Sequence, residues 1–232
     1  MKMISNLRAI LAVFANIIVL VQAVHAQQES PKFGFVRIVN AVCHGVGNAK
    51  FSLDGEDIYP TGYKLGQTSG GLSMKQGSHS ITVSKEGVEK GTAKIDLVTG
   101  ETTTVIAFAE LVPARKKDDP PVWTIKLLRL KQREVEKGYG LTLVSVAKEP
   151  ETNVQLAIQG KGAIEKSIVN RLGVTNVNLG EARGEVFVKV GDRILTTVSP
   201  DTPGNYVVVI YEGEDGKATA IYFYDPKFVI AG

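Results

Sequence analysis

Cysteine occurs once in 232 residues, at Cys43. A single thiol excludes a disulfide-stapled fold even where the compartment would permit one. Histidine is nearly as scarce, with His25, His44 and His79, so no cluster reaches the three or four His/Cys ligands of a zinc centre. There is one tryptophan, Trp123. The chain has no phosphate-binding P-loop, no G-x-G-x-x-G and no G-x-S-x-G nucleophile elbow, so nucleotide binding and serine hydrolysis lack their usual signatures. No Asn-x-Ser/Thr sequon is present either. Charge is nearly balanced, with 27 Lys and Arg against 24 Asp and Glu. That leaves no broad basic field for nucleic acid or an anionic membrane.

What is present begins with an address. Lys2 and Arg8 precede the apolar run "AILAVFANIIVLVQAV" from Ala9 to Val24, and "VHA" puts Val24 and Ala26 at the −3 and −1 positions of a signal-peptidase site. The pattern predicts a signal peptide over residues 1–26, the alternative being an uncleaved membrane anchor. Cleavage removes two bases and no acid, leaving 25 bases against 24 acids. The expected localisation is periplasmic or secreted.

An internal repeat organises the remainder. "LGQTSGGLSMKQGSHSITV" from Leu65 aligns without gaps on "LGVTNVNLGEARGEVFVKV" from Leu172, matching Leu65, Gly66, Thr68, Gly77 and Val83 to Leu172, Gly173, Thr175, Gly184 and Val190. "FGFVRIVNA" from Phe33 aligns with "YGLTLVSVA" from Tyr139, "AKFSLDG" from Ala49 with "VQLAIQG" from Val154, and "GETTTVIAF" from Gly100 with "GNYVVVIYE" from Gly204. In the second copy "YVVVIY", a Gly/Asp turn and "ATAIYFY" read as a hairpin. By the repeat, "TTVIAFAELV" pairs with "VWTIKLLRL", and "PARKKDDPP" between them is a hairpin loop rather than a domain linker. A helix over Val122–Lys137 is the alternative. Short runs such as "FVRIVN", "HSITVS", "EVFVKV" and "RILTTV" alternate with period two and are rich in Val, Ile and Thr, as on half-buried pleated surfaces. The expected fold is all-β: two tandem antiparallel β-sandwich (Ig-like) domains, 33–130 and 139–232, joined by a linker at 131–138.

Few residues offer chemistry. His79 shares a strand face with Ile81 and Val83, and Val186 stands at its place in the second copy, so it reads as structural rather than as a catalytic base. Cys43–His44 is the one thiol–imidazole neighbour pair, expected in an exposed loop after the first strand and lacking the further group a cysteine nucleophile requires. The acids of "DGED" and "EGEDG" suit turns better than a calcium site. Trp123, Tyr59, Tyr63, Tyr222 and Tyr224 could offer flat platforms to sugar rings, although core and edge packing explains them more simply. No catalytic, cofactor-binding or metal-binding residue is assigned, and no cofactor is expected.

"FVRIVNA", "FSLDGEDI", "LSMKQGSHSITV", "TTTVIAF" and "IKLLRL" together resemble a tandem bacterial extracytoplasmic β-sandwich domain of uncharacterised function. The same layout resembles the AlgF family of periplasmic alginate O-acetylation proteins; the second copy departs from it at "KEPETN". That resemblance implies a non-catalytic periplasmic adaptor or binding protein in exopolysaccharide O-acetylation. Its partners would be proteins of an envelope polysaccharide-modification complex, and the polysaccharide itself. No nucleic acid, and no membrane beyond the signal peptide, is expected. The alternatives are a cell-surface carbohydrate-binding or adhesion module carried by Trp123 and the exposed tyrosines, and an enzyme of unrecognised type.

Overall fold

A computed structural model of the chain describes residues 32–113, 120–181 and 184–227. The expected signal peptide and the middle of the "PARKKDDPP" loop lie outside these residues. The first half holds β1 (Phe33–Ala41), β2 (Val46–Leu53), β3 (Glu56–Asp57), β4 (Leu72–Lys75), β5 (Gly77–Glu86), β6 (Val88–Leu97), β7 (Thr102–Val112) and β8 (Val122–Lys131). The second holds β9 (Tyr139–Ser145), β10 (Glu151–Ile158), β11 (Gly162–Asn170), β12 (Val174–Gly180), β13 (Val186–Val190), β14 (Arg193–Val198), β15 (Gly204–Glu212) and β16 (Ala218–Asp225). The fold is all-β, in the manner of β-sandwiches.

The repeat seen in the sequence is a repeat of topology. The second half lays out one sheet as β11-β10-β13-β14 and the other as β12-β9-β15-β16. The first half has the corresponding strands in the same order, β3-β2-β5-β6 and β4-β1-β7-β8, joined into one eight-stranded sheet where β6 meets β8 at the single pair Glu89–Thr124. β7 and β8 pair antiparallel from Thr103–Lys131 to Val112–Val122, so they form the hairpin that the repeat requires, and Val122–Lys131 is strand, not helix. The sheets are not wholly antiparallel: β1 runs parallel to β7, and β9 parallel to β15. Gly77 and Gly184, aligned in sequence, both enter their strands at positive φ, 136° and 123°. Gly91 has a different duty, because a Cβ there would collide with the Ile125 carbonyl where β6 closes on β8.

Each half has its own apolar interior. Val36, Ile38, Phe51, Ile81, Ile95 and Val105 are among the side chains filling the first; Leu141, Leu143, Leu156, Val188, Val208 and Ile210 are among those filling the second. A third cluster lies between the halves: Val39, Ala41, Ile106, Phe108 and Leu130 pack with Val144, Val146, Val207, Val209, Tyr211 and Phe223. Strands β1, β7, β9 and β15 are therefore covered on both faces. In β15, Tyr206, Val208 and Ile210 point into the second interior, while Val207, Val209 and Tyr211 point at the first half, as the two-residue period of a strand demands. This departs from the half-buried alternation expected for short runs such as "FVRIVN" in β1. The near-continuous run "YVVVIY" is what a strand covered on both sides looks like.

One ion pair is buried in this seam. Arg37 on β1 donates to Asp225 at the end of β16 at 2.9 Å, with the two side chains 5% and 3% exposed. Its guanidinium also lies 4.7 Å from the centre of the Phe223 ring. Burial lowers the pKa of Arg37 and raises that of Asp225, while their mutual attraction opposes both shifts. Removing one member of such a pair strands a buried charge, at a cost of about 3–5 kcal/mol, whereas replacing both with apolar groups is often neutral. Arg37→Ala should therefore lower the unfolding free energy in urea by about that amount. Arg37→Met combined with Asp225→Leu should recover most of it.

Candidate functional site

A cleft of about 630 Å³ opens where the two halves meet. The first half contributes Ala41, Cys43, Phe108, Glu110, Leu111 and Trp123; the second contributes Val146, Lys148, Pro150, Arg171 and Glu212. Its floor continues the shared apolar layer, since Ala41, Phe108 and Val146 belong to both. Strand ends supply the rim. β7 delivers Glu110 and Leu111, β8 delivers Trp123, and β15 delivers Glu212 at its last residue.

The segment after β1 is pinned before it reaches the cleft. The Val42 amide donates to Asn40 Oδ1 at 3.0 Å, and Lys85 Nζ donates to the Val42 carbonyl at 2.8 Å. His44 then stacks on Trp123 with ring centres 3.3 Å apart and planes 21° from parallel. Cys43 Sγ lies 3.0 Å from His44 Nδ1 and 3.9 Å from Glu212 Oε2. Across the cleft Arg171 donates to Glu110 Oε1 at 2.8 Å and to the Ala147 carbonyl at 3.1 Å, with its guanidinium 5.7 Å from the Phe108 ring centre. Arg171 sits in a tight turn whose next residue, Leu172, has φ 60° and donates its amide to the Ser145 carbonyl at 2.7 Å. A leucine in left-handed backbone is strained, so this turn is held by its surroundings.

The electrostatics oppose nucleophilic use of the thiol. Burial, then the Glu212 carboxylate, pushes the Cys43 pKa up, and burial pushes the His44 pKa down. A reactive cysteine needs a cation or helix N-terminus beside it to favour the thiolate; here Lys85 pulls the thiol down, but burial and the Glu212 carboxylate outweigh it. A neutral thiol beside a neutral imidazole is a packing arrangement. No group of three or more His, Cys, Asp or Glu among the described residues is placed to hold a metal ion. What the cleft offers is apolar and aromatic walls, one internal Arg171–Glu110 ion pair, and an acid and a base, Glu212 and Lys148, without ion-pair partners among the described residues.

The structure brings together three residues that the sequence singled out, Cys43, His44 and Trp123. Cys43–His44 is half-buried rather than in an exposed loop, because the second half covers the end of β1. His44 takes one face of Trp123, so that face is closed to a sugar ring. Tyr59 is 50% exposed and is not among the residues lining the cleft. Tyr63 packs edge-on to Phe51, and Tyr222 and Tyr224 pack against the second interior. His79 bonds to Asp54 and to a backbone carbonyl. Glu110, Lys148 and Arg171 carried no sequence signal, and Glu212 figured only among the acids of "EGEDG". They converge because strands far apart in sequence end at one seam.

Residues 52–112 match the PEGA domain family. The matched segment runs from the end of β2 to the end of β7, thus within the first half. PEGA domains occur in periplasmic and extracellular proteins. No curated protein matches the chain. Among solved structures, the TIE protein of Bacillus anthracis aligns at 11% identity over 84% of this chain and 49% of that one, with a TM-score of 0.22. The chain thus spans about half the length of that protein. Neither match carries a link to alginate or its O-acetylation.

The thiol supplies a direct check on the cleft electrostatics. Alkylation of Cys43 by iodoacetamide should be slow at neutral pH, with a rate rising only above the ordinary thiol range. Glu212→Gln should move that pH–rate profile to lower pH, because it removes the anion that disfavours the thiolate.

Proposed function

We propose that this protein is a non-catalytic extracytoplasmic binding module whose partner docks in the cleft between its two halves. The observation that carries the reading is the cleft itself. It is built by both halves, it has apolar and aromatic walls, and Glu212 and Lys148, without ion-pair partners among the described residues, can meet polar groups of a ligand. Concave sites of this size and lining, between two structural units, are the usual form of a ligand site. The raised pKa of Cys43 supports a binding rather than a nucleophilic role, and the PEGA match supports an extracytoplasmic setting. Within this reading, service as an adaptor in exopolysaccharide O-acetylation rests on the strand-layout resemblance alone. A glycan ligand is the second reading, favoured by the presence of Trp123 in the wall.

The test uses a photo-crosslinking residue at Leu111 in the cleft rim and, as a control, at the exposed Asp192 turn, in tagged protein within the native envelope. The proposal predicts a discrete protein crosslink from position 111 only, lost in Trp123→Ala with the fold intact. Equal labelling from both positions would contradict a cleft-directed partner. Crosslinks to polymer alone would favour the glycan reading. Release of acetyl groups from an acetylated polymer by the purified protein would refute a non-catalytic role.

A further inference from the structure

Away from the cleft, one histidine is bonded in a way that only one protonation state allows. His79 Nδ1 lies 2.7 Å from Asp54 Oδ2, and His79 Nε2 lies 2.7 Å from the Lys75 carbonyl oxygen. A carbonyl oxygen accepts and never donates, and an ionised carboxylate does the same. A neutral imidazole carries one N–H and satisfies one of these partners; the imidazolium carries two and satisfies both.

We propose that His79 is a pH-operated clip: as the imidazolium it ties edge strand β4 to the β2–β3 turn, and on losing its proton it lets go of β4. The two ends it joins belong to different layers of the first sandwich. Asp54 sits in the two-residue turn between β2 and β3, where Asp54 and Gly55 both have positive φ, 50° and 89°, the geometry of an Asp-Gly hairpin. That turn is rigid, because Asp54 Oδ1 accepts the Ser80 amide at 2.8 Å and the Asp54 amide donates to the Ser80 carbonyl at 2.8 Å. Lys75 is the last residue of β4, a four-residue strand at the sheet edge held by its pairing with β1. The peptide unit that offers the Lys75 carbonyl to His79 also carries the Gln76 amide, which donates to the Lys32 carbonyl at 2.8 Å. His79 therefore grips one peptide plane on the edge.

When the proton leaves, the remaining N–H belongs with the carboxylate, the stronger acceptor. The bare Nε2 lone pair then faces the Lys75 carbonyl lone pairs, and the β4 end loses this anchor, keeping its pairing with β1 and the Gln76–Lys32 bond. The surroundings leave Asp54 as the charged group that governs the titration. On β6, the residue opposite His79 is Ile95, fully buried, and its neighbours Lys94 and Asp96 are exposed on the other face. On β5 the flanking residues are Ser78 and Ser80, on β2 the nearby strand end is Leu53, and β4 presents a backbone carbonyl, while the side chains of Lys75 on β4 and of Glu56 and Asp57 on β3 are exposed to solvent. The hydrogen bond to Asp54 leads in raising the His79 pKa and in lowering that of Asp54. The second half shows that the sandwich can be built without the clip. Gln159 and Val186 stand at the places of Asp54 and His79, so both members of the pair are missing together, and Val186 is 1% exposed.

The sign of the linkage follows. A raised folded-state pKa gives stabilisation that is complete below the free histidine value of 6.5 and is lost as pH rises through the folded value. Histidine NMR titration, amide exchange at Gln76 and Leu72–Lys75, and thermal unfolding of wild type, His79→Val and Asp54→Asn test the proposal together. The expected result is titration of His79 above 6.5, with loss of protection at Gln76 and β4 over that pH range beyond the base-catalysed rise seen at β5. Neither variant should show that extra step. The melting-temperature gap between wild type and His79→Val should change in the direction of wild-type destabilisation across the same window. Titration of His79 at or below 6.5, or identical pH profiles of β4 protection in wild type and Asp54→Asn, would overturn it. Should His79→Val fail to fold, Asp54→Asn decides alone, since it keeps the acceptor for the Ser80 amide and removes the charge.

Discussion

The apolar layer between the two sandwiches is the constraint on which the rest of the molecule depends. Val39, Ile106 and Phe108 from the first half meet Val144, Val207, Val209 and Phe223 from the second, and nearly all are fully buried. Each such side chain removed from water is worth about 1.5–3 kcal/mol. A layer of this size holds two sandwiches far more firmly than the short connection between β8 and β9 could. It also explains why Arg37 and Asp225, which would be costly to bury alone, sit together at 2.9 Å inside it.

The cleft is a consequence of the same layer. Its floor is part of that layer, and Glu110, Trp123 and Glu212 rim it from the ends of β7, β8 and β15. Residues from both halves can form one lining only because the halves are fixed against each other. The partner-binding reading therefore belongs to the pair of sandwiches, and a single sandwich would present half of the walls.

Much of the fold is legible in the sequence. Aligned blocks in one order point to the doubled topology, and the repeat correctly pairs "TTVIAFAELV" with "VWTIKLLRL" as β7 and β8. The shared layer was harder to see. Period-two alternation says which residues share a face, but not what covers that face, so Val207 and Val208 looked alike as strand residues although they serve different cores. The run "YVVVIY", with no polar member, held the clue that both faces are covered. The site was legible in part for a similar reason. Cys43, His44 and Trp123 stand out by rarity, whereas Glu110, Lys148, Arg171 and Glu212 are ordinary charged residues until the packing of the halves brings them to one rim.

The measurement that tests this account most directly is urea unfolding of the full chain followed by methyl NMR at Ile81 and Ile95 in the first interior and at Leu143 and Leu156 in the second. A shared apolar layer couples the two interiors, so the account predicts coincident transitions with one midpoint for all four reporters. Separate midpoints, with one set of methyls retaining native shifts after the other has unfolded, would show two independent sandwiches on a tether and would contradict it.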